Sequence, residues 1–153
     1  MKTLMLFAAL SAAVITGCAT VPAPSPSSDA QGSWITPRDA INLAADAAPR
    51  GVEGTFALTV KATGAEGGET FLNSELDYRD QRNLTVTVSP AATRQLAERL
   101  GEHPRTALMG RDILVHGAAV RTRIDFTSHG RPTGKYYYQT HVKVIDARQI
   151  TIR

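Results

Sequence analysis

Residues 83–117 read NLTVTVSPAATRQLAERLGEHPRTALMGRDILVHG. From Asn83 to Ser89 the side chains alternate, with Leu84, Val86 and Val88 on one face and Thr85 and Thr87 on the other. A period of two with β-branched residues predicts a strand. Pro90 suits the first turn of a helix, and Ala92, Leu96 and Leu100 supply its apolar positions until Gly101 ends it. Leu108-Met109-Gly110-Arg111-Asp112-Ile113-Leu114-Val115-His116-Gly117 then leads into a long strand running to about Phe126. The centre of the chain is therefore strand, helix, strand, and the flanks decide what it belongs to.

Upstream, Phe56-Ala57-Leu58-Thr59-Val60-Lys61 alternates in the same way and predicts a strand from Thr55. Gly64, Gly67 and Gly68 predict a turn, Glu69 to Ser74 a second strand, and ELDYRDQR, residues 75–82, a polar loop. Downstream, Ser128 to Gly134 predicts a turn and Lys135 to Val144 a fifth strand. Asp146-Ala147-Arg148 interrupts before a short terminal strand, Gln149 to Arg153. Ahead of all this, Thr36 can cap a helix that has Pro37 at its first position and Asp39 three residues past the cap. Ile41, Leu43, Ala44 and Ala48 give this leading helix a weak apolar stripe, fit for a lid or plug, before Pro49 and Gly51 end it.

The order of three strands, a helix, and two or three strands predicts a mainly β domain. It resembles the OB-fold, a five-stranded Greek-key barrel with a helix between strands 3 and 4, here with a short leading helix. The glycine-punctuated run from Leu108 to Gly117 is similar to the fourth strand of such barrels. Thr70-Phe71-Leu72-Asn73 ahead of Tyr78 resembles OB-like modules of exported bacterial proteins. The resemblance covers residues 54–153, with 34–53 as the leading helix, and implies a fold without naming an activity. A small α+β sandwich with the same elements in another order is the alternative.

The chain opens MKTLMLFAALSAAVITGCAT. Lys2, an apolar run from Leu4 to Ile15, and small residues before Cys18 form an export signal over residues 1–17. The run is too short for a membrane-spanning helix of about 20 residues. Ile15-Thr16-Gly17-Cys18 resembles the lipobox of bacterial lipoproteins. That resemblance implies a diacylglyceryl thioether on Cys18, cleavage before it, and acylation (commonly palmitate) of the new amino terminus. Cys18 is the one cysteine of the chain and has no disulfide partner. Ala19 in the next position, rather than Asp, implies by the same resemblance an outer-membrane destination, facing the periplasm. Residues 18–33, with prolines at 22, 24 and 26, predict an extended, solvated tether.

Residues 34–153 suffice for one compact domain with a single core. Charge is uneven along it. Residues 33–98 carry 6 Lys and Arg against 9 Asp and Glu, and residues 99–153 carry 10 against 4. Such asymmetry can mark an anion-binding face, although basic residues decorating exposed strands account for it more simply.

The most suggestive stretch is Lys135-Tyr136-Tyr137-Tyr138-Gln139-Thr140-His141-Val142-Lys143. If the last two long strands pair, Arg121, Arg123, Tyr137, Gln139, His141 and Lys143 form one polar, basic, aromatic-bearing surface of the kind OB-folds use for oligonucleotides or sugars. The plainer alternative is a pair of edge strands whose charges prevent association. No HExxH, paired CxxC, calcium loop, GxSxG elbow or phosphate-binding glycine loop occurs. Four histidines and the acidic Glu75, Asp77 and Asp80 converge on no metal set, so no metal, catalytic residue or cofactor is expected. The expectation is a non-enzymatic binding or structural module of the cell envelope. It is held to the lipid bilayer by Cys18, and its partner is an envelope protein, a glycan or an anionic polymer. The rival is an oligonucleotide-binding protein, which steep salt dependence would favour; a hydrolase is a more distant third.

Overall fold

The computed structural model describes residues 33–153. The export signal, Cys18 and all of the tether but Ser33 lie outside the described residues. The unit Gly32–Arg153 holds its entire core within itself, from Ile35 to Ile152.

The leading helix, α1 (Pro37–Ala47), starts where its cap predicts. Thr36 Oγ1 accepts the Asp39 N–H at 3.2 Å and donates to the Asp39 carboxylate at 2.7 Å. It meets the core through Ala40 and Ala44, both fully buried, rather than along the whole predicted stripe; Leu43 stays exposed. Small side chains at these positions let the helix lie close on the strands.

Seven strands follow in one sheet: β1 (Val52–Thr59), β2 (Ala62–Glu66), β3 (Glu69–Asn73), β4 (Leu84–Val88), β5 (Asp112–Ser128), β6 (Arg131–Val144) and β7 (Ile150–Ile152). Helices α2 (Pro90–Leu100) and α3 (Pro104–Ala107) lie between β4 and β5. A 3-10 turn at Ala147–Gln149 precedes β7. The strand order is β1-β5-β6-β4-β3-β2, with β7 on β5. Every pairing is antiparallel except β4 with β6. The domain is mainly β, as the alternation predicts.

Three details differ from the sequence reading. Gly64 stands inside β2 opposite Phe71, so the turn narrows to Gly67 and Gly68, both at positive φ. β1 begins at Val52, ahead of the predicted start. The turn over 128–134 shrinks to His129-Gly130, and β6 starts at Arg131. Positive φ at both His129 and Gly130 suits a two-residue hairpin turn, whose twist matches the flanking strands.

The core gathers alternate residues of every strand but β2, among them Phe56, Leu72, Leu84, Val86, Ile113, Val115 and Val142. Helix α2 closes one side of it with Ala92 and Leu96. Its ends are satisfied by Ser89, whose hydroxyl accepts the Ala92 N–H, and by Gly101, whose N–H reaches the Ala97 carbonyl. Gly117 lies where β5 passes close to β6: a Cβ there would stand 3.2 Å from Val142 Cγ1, a tight contact that Val142 would have to yield to. Gly110, by contrast, turns the chain before β5 at positive φ.

β5 and β6 outrun their neighbours. β1 follows β5 only as far as Ala119, and β4 follows β6 only from Thr140. Residues 122–139 therefore pair only with each other, as a two-stranded arm roughly 20 Å long at about 3.3 Å per residue. An irregularity between Asp125 and Thr127 interrupts its ladder.

Candidate functional site: the two faces of the long ribbon

Residues directly opposite in an antiparallel pair share a face. Here odd-numbered residues of β5 stand opposite even-numbered residues of β6: Arg121 faces Thr140, Arg123 faces Tyr138, and Asp125 faces Tyr136. The other set matches Val120 to His141, Thr122 to Gln139, and Ile124 to Tyr137. The six residues expected on one surface are thus divided. Arg121 and Arg123 lie on one face; Tyr137, Gln139, His141 and, by alternation, Lys143 lie on the other.

The second face floors a groove of about 470 Å³. Tyr137, Gln139, His141 and Ile124 form one side of it, Phe71, Asn73 and Thr85 the middle, residues 62–66 of β2 the other side, and Leu76 and Tyr78 an end. Lys143 does not line it, and neither does any other lysine or arginine; Glu66 is its one charged residue.

A chain of hydrogen bonds fixes the groove's polar groups. Gln139 Nε2 donates to the Tyr78 carbonyl at 3.2 Å and to the Tyr137 hydroxyl at 2.7 Å. A carbonyl only accepts, so the amide's orientation is set and its Oε1 must face His141 Nε2, 2.7 Å away. His141 Nε2 therefore carries the proton, and Nδ1 accepts from the Thr87 hydroxyl at 3.0 Å. Burial pushes the His141 imidazole below its ordinary pKa, consistent with this neutral form, and raises the Tyr137 phenol above its own. The Tyr137 hydroxyl accepts from Gln139 and keeps its own hydrogen.

A second network lies deeper. Asn83 Oδ1 accepts the Glu75 N–H at 3.0 Å, which turns its Nδ2 toward Asn73 Oδ1 (3.0 Å) and Thr85 Oγ1 (2.9 Å). Thr85 in turn donates to Asn73 Oδ1 at 3.0 Å. Asn73 is only 5% exposed, yet its Nδ2 donates to no described residue while Asn73 lines the groove. Thr85 and Thr87 are buried for the same reason: β4 is covered on both faces, by the apolar core and by these polar side chains. Sequence reasoning missed Asn73, Asn83, Phe71, Thr85 and Tyr78. The available signal was a pair of asparagines bracketing a polar loop at strand ends.

The opposite face carries a ladder of cations and rings. The Arg121 guanidinium lies 3.9 Å from the Tyr138 ring centre and that of Arg123 lies 4.1 Å from Tyr136. The two tyrosines meet edge to face at 5.7 Å. Arg123 also pairs with Asp125 at 2.7 Å, and that carboxylate raises the arginine's pKa. Beside the ladder, Ile41 and Ala45 of α1 wall a smaller pocket of about 340 Å³.

The remaining candidates are occupied locally. Glu75 pairs with Lys61, and Asp80 pairs with Arg82, whose hydrogen bonds hold the Asp80 carboxyl near a pKa of about 2. His116 sits beside Thr55 on β1, His103 caps α3, and His129 makes the arm's turn. Among the described residues no three His, Cys, Asp or Glu side chains gather as a metal site. No protein-family model matches the chain, and no curated protein matches it.

Proposed function

We propose that this chain is a lipid-anchored envelope protein, tethered through Cys18 at the outer membrane and facing the periplasm. In this reading its β domain binds an extended, uncharged glycan along the groove. The anchoring rests on the lipobox-like Ile15-Thr16-Gly17-Cys18 and the proline-rich tether. An OB-like barrel is supported by the strand pairings. Only Val60 and Lys61 separate β1 from β2, which makes these two the halves of one bent strand. Counted that way, the first strand pairs with the second and fourth, the second with the third, and the third runs parallel to the fifth. The helix α2 then falls between strands three and four, a pattern that supports an OB-like reading.

The observation that carries the ligand class is the unspent hydrogen-bonding capacity of a groove whose lining holds no lysine or arginine, Arg79 being stacked on the Tyr78 ring at its end. Asn73 Nδ2 and the Tyr137 hydroxyl hydrogen are free, and the rings of Phe71, Tyr78 and Tyr137 stand around them. Sugars offer hydroxyl and carbonyl oxygens to such donors and apolar ring faces to such aromatics. A phosphate backbone needs lysine or arginine, and none lines this groove. A peptide adding as a strand would pair along the free outer edge of β2, at the rim of the groove and not across its floor. The oligonucleotide alternative is weakened because the arginines lie on the other face.

The test is calorimetric titration of residues 32–153 with uncharged oligomers of glucose and of N-acetylglucosamine, beside a dT oligonucleotide. Binding of a sugar that falls at least tenfold in Tyr137→Phe and Asn73→Ala supports the reading. Binding of dT alone, or of no sugar, overturns it.

A further inference from the structure

The ladder face of the arm is independent of the groove and has a different chemistry. It holds Arg121, Arg123, Tyr136 and Tyr138 in two interleaved stacks; Arg131 and Lys135 add positive charge toward the arm's tip, Lys135 by alternation on the other face. From 121 to 139 the one acid is Asp125, and it is bound to Arg123. Arg121 makes no ion pair or hydrogen bond among the described residues. Stacked on Tyr138, it keeps its guanidinium edge free for an oxyanion. Tyr136 is 50% exposed and Tyr138 42%, although each is a large ring.

From this we infer that the arm docks on an anionic phospholipid surface. Arginine edges contact the phosphates there, and the tyrosines lie at headgroup depth, where amphipathic rings are favoured. Charge complementarity gives the direction: residues 121–139 carry four Lys and Arg against one acid, so the arm as a whole is positive toward a negative leaflet. The ring geometry argues against nucleic acid. One face of each ring is covered by a guanidinium, and the edge-to-face contact at 5.7 Å leaves no parallel slot for a base. The arm has no third strand against it, so it can approach a flat surface without disturbing the core.

The experiment is vesicle flotation of residues 32–153, which carry no acyl chain. It compares neutral phosphatidylcholine vesicles with vesicles containing phosphatidylglycerol, at low and high salt. The native unit is expected to float with the anionic vesicles only, and to be released by salt. Arg121→Gln/Arg123→Gln should weaken binding roughly 30-fold, and Asp125→Asn should strengthen it about fivefold, at about 1 kcal/mol per charge near the surface. Soluble glycerophosphate at millimolar concentration should not compete, which separates a membrane surface from a free phosphate site. Equal flotation with neutral vesicles overturns the inference. So does unchanged binding by both variants, or displacement by glycerophosphate, or tighter binding to a dT oligonucleotide than to vesicles. The two variants move charge in opposite directions, and circular dichroism of each checks its fold.

Discussion

The two faces of the β5–β6 ribbon are built from alternate residues of the same two strands, yet they obey different rules. On the groove face, Thr87, His141, Gln139 and Tyr137 hand hydrogen bonds from one to the next, and all of the polar atoms but a few are spent inside the protein. On the ladder face, cations lie against rings in solvent, held by interactions that water and salt weaken. The cause is what lies above each face. The groove side continues into β4, β3 and β2, so its polar groups lose water and must find partners. Much of the ladder side belongs to the free arm and stays wet. One face is therefore specified by satisfaction of buried groups, and the other is free to carry surplus charge.

That contrast can be broken most severely at Asn83. Its side chain bonds Glu75 N–H, Asn73 and Thr85 at once, in a buried position. Asn83→Ala is expected to cost about 3 kcal/mol in urea denaturation, because buried groups are left without partners at about 1–3 kcal/mol each. A loss under about 1 kcal/mol would mean that water replaces the network freely, and the distinction between the faces would lapse. Thr87→Val probes the same side more gently. It keeps the shape and removes one donor to His141 Nδ1, for an expected loss of about 1–2 kcal/mol in the same assay.

How far the sequence reveals these faces follows from which constraints are local. The helices α1 and α2 and the strand β4 are legible, because Thr36-Pro37, Ser89-Pro90 and the Leu84-to-Val88 alternation act within a few residues. β2 is hidden, since ATGAE holds no aromatic and only one β-branched residue, Thr63, beside a glycine. The sharing of faces across β5 and β6 is hidden for a different reason. Alternation fixes which residues of one strand go together, but only register fixes which face of the next strand joins them. That register depends on a two-residue turn at His129-Gly130 and on an irregularity near Phe126. Read as a seven-residue turn, the same segment gives the wrong pairing. Asn73 and Asn83 escape notice because their meeting requires the loop between them to close.

Acidification sharpens the comparison with a smaller effect. Burial lowers the His141 pKa below the unfolded value near 6.5, so the unfolded chain binds the proton more readily. The stability contributed by the neutral ring is therefore complete above about pH 6.5 and is lost as pH falls through the folded value. Thermal melts at pH 7.5 and pH 5.5 should show this loss in the native unit, and a reduced pH slope in His141→Gln. The window lies above the carboxylates near a pKa of about 2, Asp80 and Asp146, so they do not contribute to it. An unchanged slope in the variant would show that the ring is solvated, and the groove face would lose its central buried member.

The smallest expected effect belongs to the ladder. Arg121 touches Tyr138 but makes no hydrogen bond or ion pair among the described residues, and an exposed cation–π contact contributes about 0.5 kcal/mol. Arg121→Gln should therefore shift the urea midpoint little, at pH 7.5 and pH 5.5 alike, and salt should erase the difference. A loss above about 1.5 kcal/mol would place the arginine among the structural members of the fold. The ladder would then be a brace between α1 and the ribbon, with Ile41 and Ala45 packed against it, and no longer a surface kept free for a partner. A near-zero effect leaves Arg121 held against Tyr138 at no benefit to stability, a guanidinium kept available for a partner.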